Sequence, residues 1–174
     1  MSRKAFTLFE IIISVILISL VYYFVITSFD NNSNTKKDDI TFLNLKEKLL
    51  AYDFIENITI KCIDEDLSCM VFVDDNMTGD IITSLLTSKP EVYEYSKELK
   101  KIEFPYLELE QLQRYDIVFQ YSCNKNNKCS EYIVQTEEMV YILNDIQKRP
   151  STLKYINDVD EYFDKTMQKV RDAF

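Results

Sequence analysis

The chain has no histidine and no tryptophan, and Gly79 is the single glycine among its 174 residues. The absence of histidine excludes Ser-His-Asp triads, acid–base catalysis by histidine and histidine metal ligands. A single glycine excludes the glycine-rich loops that bind phosphate groups, because such loops need several glycines. We therefore expect no enzyme activity and no cofactor, and a structural or binding role is the better interpretation.

Basic residues are also scarce, since 20 Lys and Arg stand against 29 Asp and Glu and give a formal net charge of −9. A protein of this charge lacks the basic surface that attracts phosphate backbones, so no direct nucleic-acid binding is expected. Hydrophobic residues make up 47% of the chain. That fraction and this length suit one folded domain of modest size.

One apolar segment stands out, and it reads FTLFEIIISVILISLVYYFVITSF from Phe6 to Phe29 with Glu10 as its one charge. As an α-helix it would be about 36 Å long, enough for a bilayer core of about 30 Å. Arg3 and Lys4 precede it, and the positive-inside rule keeps such a leader in the cytoplasm. The pattern predicts an inner-membrane protein with a single pass through the lipid bilayer and with residues 30–174 in the periplasm.

Simpler interpretations of this segment exist. A cleaved secretory signal usually ends in small residues, and none of that pattern follows Phe29. A plain signal anchor fits the hydropathy but leaves Glu10 unexplained, unless its carboxylate lies near the headgroups and stays hydrated. A carboxylate inside a membrane span is costly, so it points to a function.

The order Ala5-Phe6-Thr7-Leu8-Phe9-Glu10, after a short basic leader, closely resembles the processing site of type IV pilins and type II secretion pseudopilins. The resemblance covers about the first 25 residues. It implies that a prepilin peptidase cleaves between Ala5 and Phe6 and that Phe6 is then N-methylated. It also implies that Glu10 pairs with the terminal amine of a neighbouring subunit, and that an inner-membrane assembly platform adds subunits to a filament.

Physical chemistry favours such a role for Glu10, because an amine and a carboxylate in an apolar medium recover their desolvation cost only by close pairing. The chain departs from the family pattern in two places. Ala5 replaces the usual glycine before the cut, and the stem has no proline, since the first proline is Pro90. The low glycine content favours a minor subunit over a major one.

The expected function is therefore a minor pseudopilin or pilin-like subunit. Its machine would be a type II secretion system, a type IV pilus or the DNA-uptake apparatus of transformation, in which the filament moves cargo across the envelope. The alternative is an unprocessed, signal-anchored single-pass envelope protein whose periplasmic domain binds a partner.

The expected fold class is α+β, with a long N-terminal hydrophobic helix, a small mostly antiparallel sheet domain and a C-terminal helix. The leader would be residues 1–5 and the stem helix residues 6–29. A polar break and an amphipathic lower stem helix would occupy 30–56, and the exported globular domain 57–174. Asp38 or Asp39 would cap the lower helix, whose apolar face is formed by Phe42, Leu45, Leu49, Tyr52 and Ile55.

Alternating apolar residues predict two hairpins in the globular domain. The first joins 58–62 to 69–73, and the second joins 115–122 to 130–136 around the turn formers of 124–128. Shorter strands are expected within 81–85, 99–109 and 139–143. A helix capped by Ser151 would then run to the C-terminus.

Four cysteines bracket the two hairpin turns, at positions 62, 69, 123 and 129. Facing strands bring such pairs within disulfide range, and an exported domain meets an oxidising environment. Local bridges Cys62–Cys69 and Cys123–Cys129 are therefore expected, although four cysteines allow three connectivities. Neither spacing suits a zinc site or a C-x-x-C redox motif.

A calcium site is a further hypothesis, because Asp74, Asn76, Thr78 and Gly79 match the start of an EF-hand loop. Leu85 stands where that loop needs a bidentate glutamate. A tight turn with a positive φ at Gly79 explains the same residues and is the interpretation we favour.

Overall fold

The structure is a computed structural model that describes residues 12–20, 39–109 and 113–172. The chain divides into two compact units, Met1–Asp38 and Asp39–Phe174. Each unit is described by itself.

The described part of the first unit is helix α1, residues 12–20. Across 12–20, 39–109 and 113–172, no helix combines the length and the apolar character needed to cross a membrane. The predictions of a long N-terminal stem helix and of a single-pass inner-membrane location are therefore wrong. Residues 6–11 and 21–29 lie outside the described residues.

The second unit contains two antiparallel four-stranded sheets. Sheet A consists of β1 (Asn57–Ile63), β2 (Cys69–Val73), β3 (Asn76–Ile82) and β7 (Ile117–Asn124), in the spatial order β3-β2-β1-β7. Sheet B consists of β4 (Glu91–Glu94), β8 (Tyr132–Gln135), β9 (Val140–Leu143) and β10 (Ser151–Leu153), in the order β10-β9-β8-β4. Strands β5 (Leu107–Leu109) and β6 (Gln113–Tyr115) form a separate pair. The predicted antiparallel sheets are present.

The main core lies where sheet A meets helix α2 (Leu45–Leu50) and sheet B. Ile58 and Ile60 alternate along β1 and are fully buried, as a strand with one apolar face requires. Leu45 and Leu49 are four positions apart in α2 and are buried in the same core. The ring of Phe42, just before α2, stacks on Tyr141 of β9 at 4.8 Å between centroids. The core therefore joins α2 to both sheets.

The amphipathic lower helix is shorter than predicted. It begins at Leu45, and Asn44 rather than Asp38 or Asp39 occupies the N-cap position. The Asn44 side chain accepts a hydrogen bond from the Thr41 N–H, so residues 41–44 form a turn instead of a helical start. Ile55 lies past the helix and is 80% exposed, so the predicted apolar face ends before it.

The first predicted hairpin is confirmed, because β1 and β2 pair in register from Ile58↔Val73 to Cys62↔Cys69. The second prediction is correct only at the turn. Strand β7 pairs with β1 in sheet A, whereas β8 pairs with β4 and β9 in sheet B. The chain forms the isolated bridge Cys123↔Cys129 at this turn and then changes sheets. Pairing with distant strands outweighs the local hairpin here.

The shorter strands also differ in part from expectation. Strand β9 confirms the prediction for 139–143, whereas the strand expected at 81–85 lies earlier, at Asn76–Ile82. Of the range 99–109, the last three residues form a named strand, and Leu99 has a positive φ of 50° that interrupts an extended run.

The C-terminal helix α3 (Val159–Asp172) is present, but Ser151 does not cap it. Ser151 begins β10, and a 3-10 turn at Ile156–Asp158 leads into α3. The Tyr155 N–H donates to the Asp158 carboxylate, which fixes that turn. Val159 is fully buried while Val170 is 57% exposed. The first half of the apolar stripe of α3 therefore packs on the domain and the second half does not.

Candidate functional site

The predicted processing and assembly residues Ala5, Phe6 and Glu10 lie outside the described residues. Their roles stay predictions. The nearest described segment is α1, which begins six residues after Phe6.

Every residue of α1 is exposed. Its large apolar side chains are between 40% and 59% exposed, and they are Ile12, Ile13, Val15, Ile16, Leu17, Ile18 and Leu20. The Ser19 hydroxyl donates to the Val15 carbonyl oxygen at 2.8 Å, so the helix satisfies this polar group internally. A helix that is apolar on every side is stable only when other apolar groups cover it. Helix α1 therefore needs a covering partner.

The structure contains two disulfides, Cys62–Cys69 and Cys123–Cys129, which is the local pairing expected from the hairpins. All four cysteines are buried in the main core. The first bridge joins residues that face each other in the β1–β2 ladder. The second joins the end of β7 to the chain that leaves for sheet B. The two bridges close loops of opposite charge, one acidic and one basic.

The acidic loop, residues 63–68, carries Asp64, Glu65 and Asp66 and no base. Asp64 forms an ion pair with Lys89. Asp66 accepts a hydrogen bond from the Ser68 N–H at 2.9 Å, and the Ser68 side chain and N–H together lower the pKa of the Asp66 carboxyl. The disulfide and these hydrogen bonds hold the acids in fixed positions at the end of β1.

The basic loops are residues 124–128, with Lys125 and Lys128, and residues 144–150, with Lys148 and Arg149. Asp145 is the one acid within them. Its Oδ1 accepts a hydrogen bond from the Cys129 N–H at 2.8 Å, which joins the second loop to the end of the first. The two loops therefore form one surface.

Lys46 of α2 anchors this surface to the core. Its ammonium donates to the Asp145 carbonyl oxygen and lies 3.5 Å from the Asp145 carboxylate. The two side chains are 16% and 29% exposed, so this is a partly buried ion pair. Ile146, the next residue, is 93% exposed. The pair neutralises Asp145 and leaves the four bases of the loops to determine the local charge.

A cleft lies between α2 and the second basic loop. Lys46, Lys148 and Arg149 supply its bases, Leu50 and Ala51 supply apolar surface, and Glu47 is its acid. A cleft lined mainly by bases and apolar side chains suits a segment that carries carboxylates.

The calcium hypothesis does not fit the local geometry. Asp74 and Asp75 both have positive φ and form the two-residue turn between β2 and β3. The Asp74 carboxylate accepts three backbone N–H groups, from Ile55, Glu56 and Asn57, at 2.7–3.0 Å. These bonds lower the pKa of Asp74 and use the oxygens that a cation would need.

The other two residues of that hypothesis are also engaged. The Asn76 amide donates to the Asp74 carbonyl oxygen, and the Thr78 hydroxyl donates to the Val71 carbonyl oxygen. Gly79 has a φ of 83° within β3, where the register with β2 shifts. Residues 74–80 are thus a hairpin turn and an irregular edge strand.

The titratable groups with raised pKa values are tyrosines. Burial and the neighbouring Asp80 carboxylate raise the pKa of Tyr52 to about 12, and burial with Glu91 raises that of Tyr93 to about 12. Both phenols are therefore neutral near pH 7 and are poor bases. In the described part of the chain, no three Cys, Asp or Glu residues are grouped in a way that could hold a metal ion.

No family model, no curated protein and no solved structure matches the chain. The argument about function therefore depends on the processing-site sequence and on the surfaces described above. Sequence reasoning missed the Lys46–Asp145 pair, because 99 residues separate its members. The sequence does show one sign of the basic surface, which is two short turn-forming segments rich in Lys and Arg.

Proposed function

We propose that this chain is a non-catalytic, pilin-like structural subunit of a filament-type machine, of the minor pseudopilin kind. In this proposal a prepilin peptidase cleaves between Ala5 and Phe6, and the new terminus at Phe6 is methylated. The machine is of the kind that serves type II secretion, type IV pili or DNA uptake.

One observation carries the proposal, namely that an apolar helix exposed on all sides follows directly after the processing-site sequence. Burying one large aliphatic side chain contributes about 1.5–3 kcal/mol, so seven such residues strongly favour association. Side-by-side helices of neighbouring subunits would supply matching apolar surface. Glu10 would then meet the terminal amine of a neighbour, and that pair would set the stagger between subunits.

The first test is the mass of the mature N-terminus of the protein isolated from its native cells. We expect a chain that begins at Phe6 and carries one extra methyl group. An intact N-terminus from Met1 to Ala5, with the peptidase present, would overturn the proposal. That result would favour an unprocessed protein whose folded domain binds a partner.

The second test replaces Glu10 by valine. We expect normal cleavage before Phe6 and a strong loss of incorporation into the filament fraction, because the amine of the neighbouring subunit loses its partner. Glu138→Val is the matched control, since Glu138 is an exposed carboxylate of the folded domain. Equal incorporation of both variants would contradict the role of Glu10.

A further inference from the structure

The acidic loop and the basic loops lie at opposite ends of sheet A. Strand β1 begins at Asn57, which pairs with Asn124 at the start of the first basic loop. The same strand ends at Ile63, where the acidic loop begins. Six residue steps at about 3.3 Å each place the two ends about 20 Å apart. One copy of the domain therefore cannot bring its acidic loop to its own basic loops.

We propose that the cleft between α2 and the second basic loop binds the acidic loop of a second copy of this chain. Charge complementarity identifies the occupant. The cleft has one acid and three bases, of which Lys46 is paired with Asp145, and the acidic loop has three acids in six residues, of which Asp64 is paired with Lys89. The exposed carboxylate of Glu65 pairs with Lys148 or Arg149.

The acidic loop is held in place before binding. Leu67 packs against the main core of its own domain, and its φ of 59° lies within the disulfide-closed loop. Because the disulfide fixes the acidic loop before binding, little conformational entropy is lost when the loop enters the cleft.

In the proposed filament each pair of neighbouring copies makes this contact once, so the contact is heterologous. A heterologous contact that does not close into a ring repeats indefinitely and builds a helical filament. The inference therefore deepens the proposed filament function and rests on it. It adds a specific contact between folded domains to the association expected of α1.

The test uses the full chain in mild detergent, prepared as an equal mixture of ¹⁴N- and ¹⁵N-labelled protein. A carbodiimide joins Lys to Asp or Glu without a spacer, and mass spectrometry identifies the linked peptides. We expect a link between Lys148 and Glu65 that contains one labelled and one unlabelled peptide. If no such mixed link forms, or if links form only elsewhere on the domain, the proposed contact is wrong.

Charge reversal provides a second readout. Arg149→Glu should reduce self-association, measured by sedimentation, by roughly tenfold, and the combination of Arg149→Glu with Glu65→Lys should restore most of it. Lys169→Glu is the matched control, because it reverses an exposed base on α3 and should have no effect. Failure of the double variant to recover, with its fold intact by circular dichroism, would overturn the contact.

The outcomes separate this inference from the proposed function. A chain processed at Phe6 that shows neither the mixed link nor charge rescue would keep the filament proposal and remove this contact. An unprocessed chain would remove the filament proposal, whatever the domains do in solution.

Discussion

The two disulfide-closed loops invite comparison, because similar sequence separations serve different structural purposes. Cys62 and Cys69 are seven residues apart, and Cys123 and Cys129 are six apart. The first bridge reinforces a ladder that already pairs five positions of β1 and β2. The second lies where the chain leaves sheet A for sheet B. The first bridge thus lies within a ladder of paired strands, whereas the second lies at a single isolated bridge between Cys123 and Cys129.

The segment around the second bridge is held by bonds outside any ladder. The Ser130 N–H donates to the Ser122 carbonyl oxygen, and the Asn124 N–H donates to the Lys128 carbonyl oxygen. The Cys129 N–H donates to Asp145, whose carboxylate lies beside the Lys46 ammonium. The acidic loop instead connects β1 and β2, the two strands of a regular hairpin. The comparison teaches that local sequence spacing predicts a bridge but not its structural importance.

The largest expected effect comes from removing the bridges one at a time. Loop entropy alone gives each bridge about 2–3 kcal/mol, since their loops are similar in length. We expect Cys123→Ala/Cys129→Ala to lower the free energy of unfolding by more than Cys62→Ala/Cys69→Ala, because the β1–β2 ladder persists without the Cys62–Cys69 bridge. Denaturant unfolding of both variants and of the native chain measures the difference. Equal decreases in the free energy of unfolding would show that loop entropy alone determines the contribution of each bridge.

A smaller effect is expected from the ion pair that supports the basic loops. Asp145→Ala should lower the free energy of unfolding by about 2 kcal/mol, because it leaves the Cys129 N–H without its acceptor and removes the carboxylate beside Lys46, which keeps only the backbone carbonyl oxygen. Glu65→Ala in the acidic loop is the matched control and should change it by less than about 0.5 kcal/mol, since Glu65 is exposed. Similar losses for both variants would contradict the different anchoring of the loops.

The smallest effect concerns acid pH and the acidic loop. The pKa of Asp66 is lowered in the folded state by its hydrogen bonds to Ser68, so its stabilising contribution is present above the ordinary pKa of 3.8. That contribution is lost as the pH falls from this value through the lower folded-state pKa. Asp66→Asn should therefore show a smaller drop in thermal midpoint between pH 5 and pH 2 than the native chain. Glu65→Gln is the control and should show the same drop as the native chain. If both variants show the native drop, Asp66 does not contribute to the loss of stability at acid pH.

Much of sheet A could be predicted from local patterns. The alternation of Ile58 and Ile60, followed by the Cys62–Cys69 spacing, predicts the first hairpin because both signals act over short distances. The prediction of the second hairpin was wrong because β7 pairs with β1, which lies more than 50 residues earlier in the chain. Long-range pairing of this kind has no local signature.

The candidate site shows the same division. The resemblance at Ala5, Phe6 and Glu10 is read directly from the sequence, and it stays a prediction. The basic surface became visible only because the Cys129 N–H meets Asp145 across 16 residues. The long helix and the membrane location predicted from hydropathy are wrong, since no helix of the described residues is long and apolar enough to cross a membrane.

By itself, the sequence determined which residues are apolar, which strands alternate, where the cysteines sit in pairs and how the charge is distributed. Only the tertiary structure decided that β7 and β8 belong to different sheets, that Asp74 serves three backbone N–H groups, and that acids and bases collect at opposite ends of β1. The physical reason is the distance along the chain over which each kind of interaction acts. Periodicity and turn preferences act between neighbours in the chain, whereas sheet order and ion pairs depend on contacts between residues far apart in sequence.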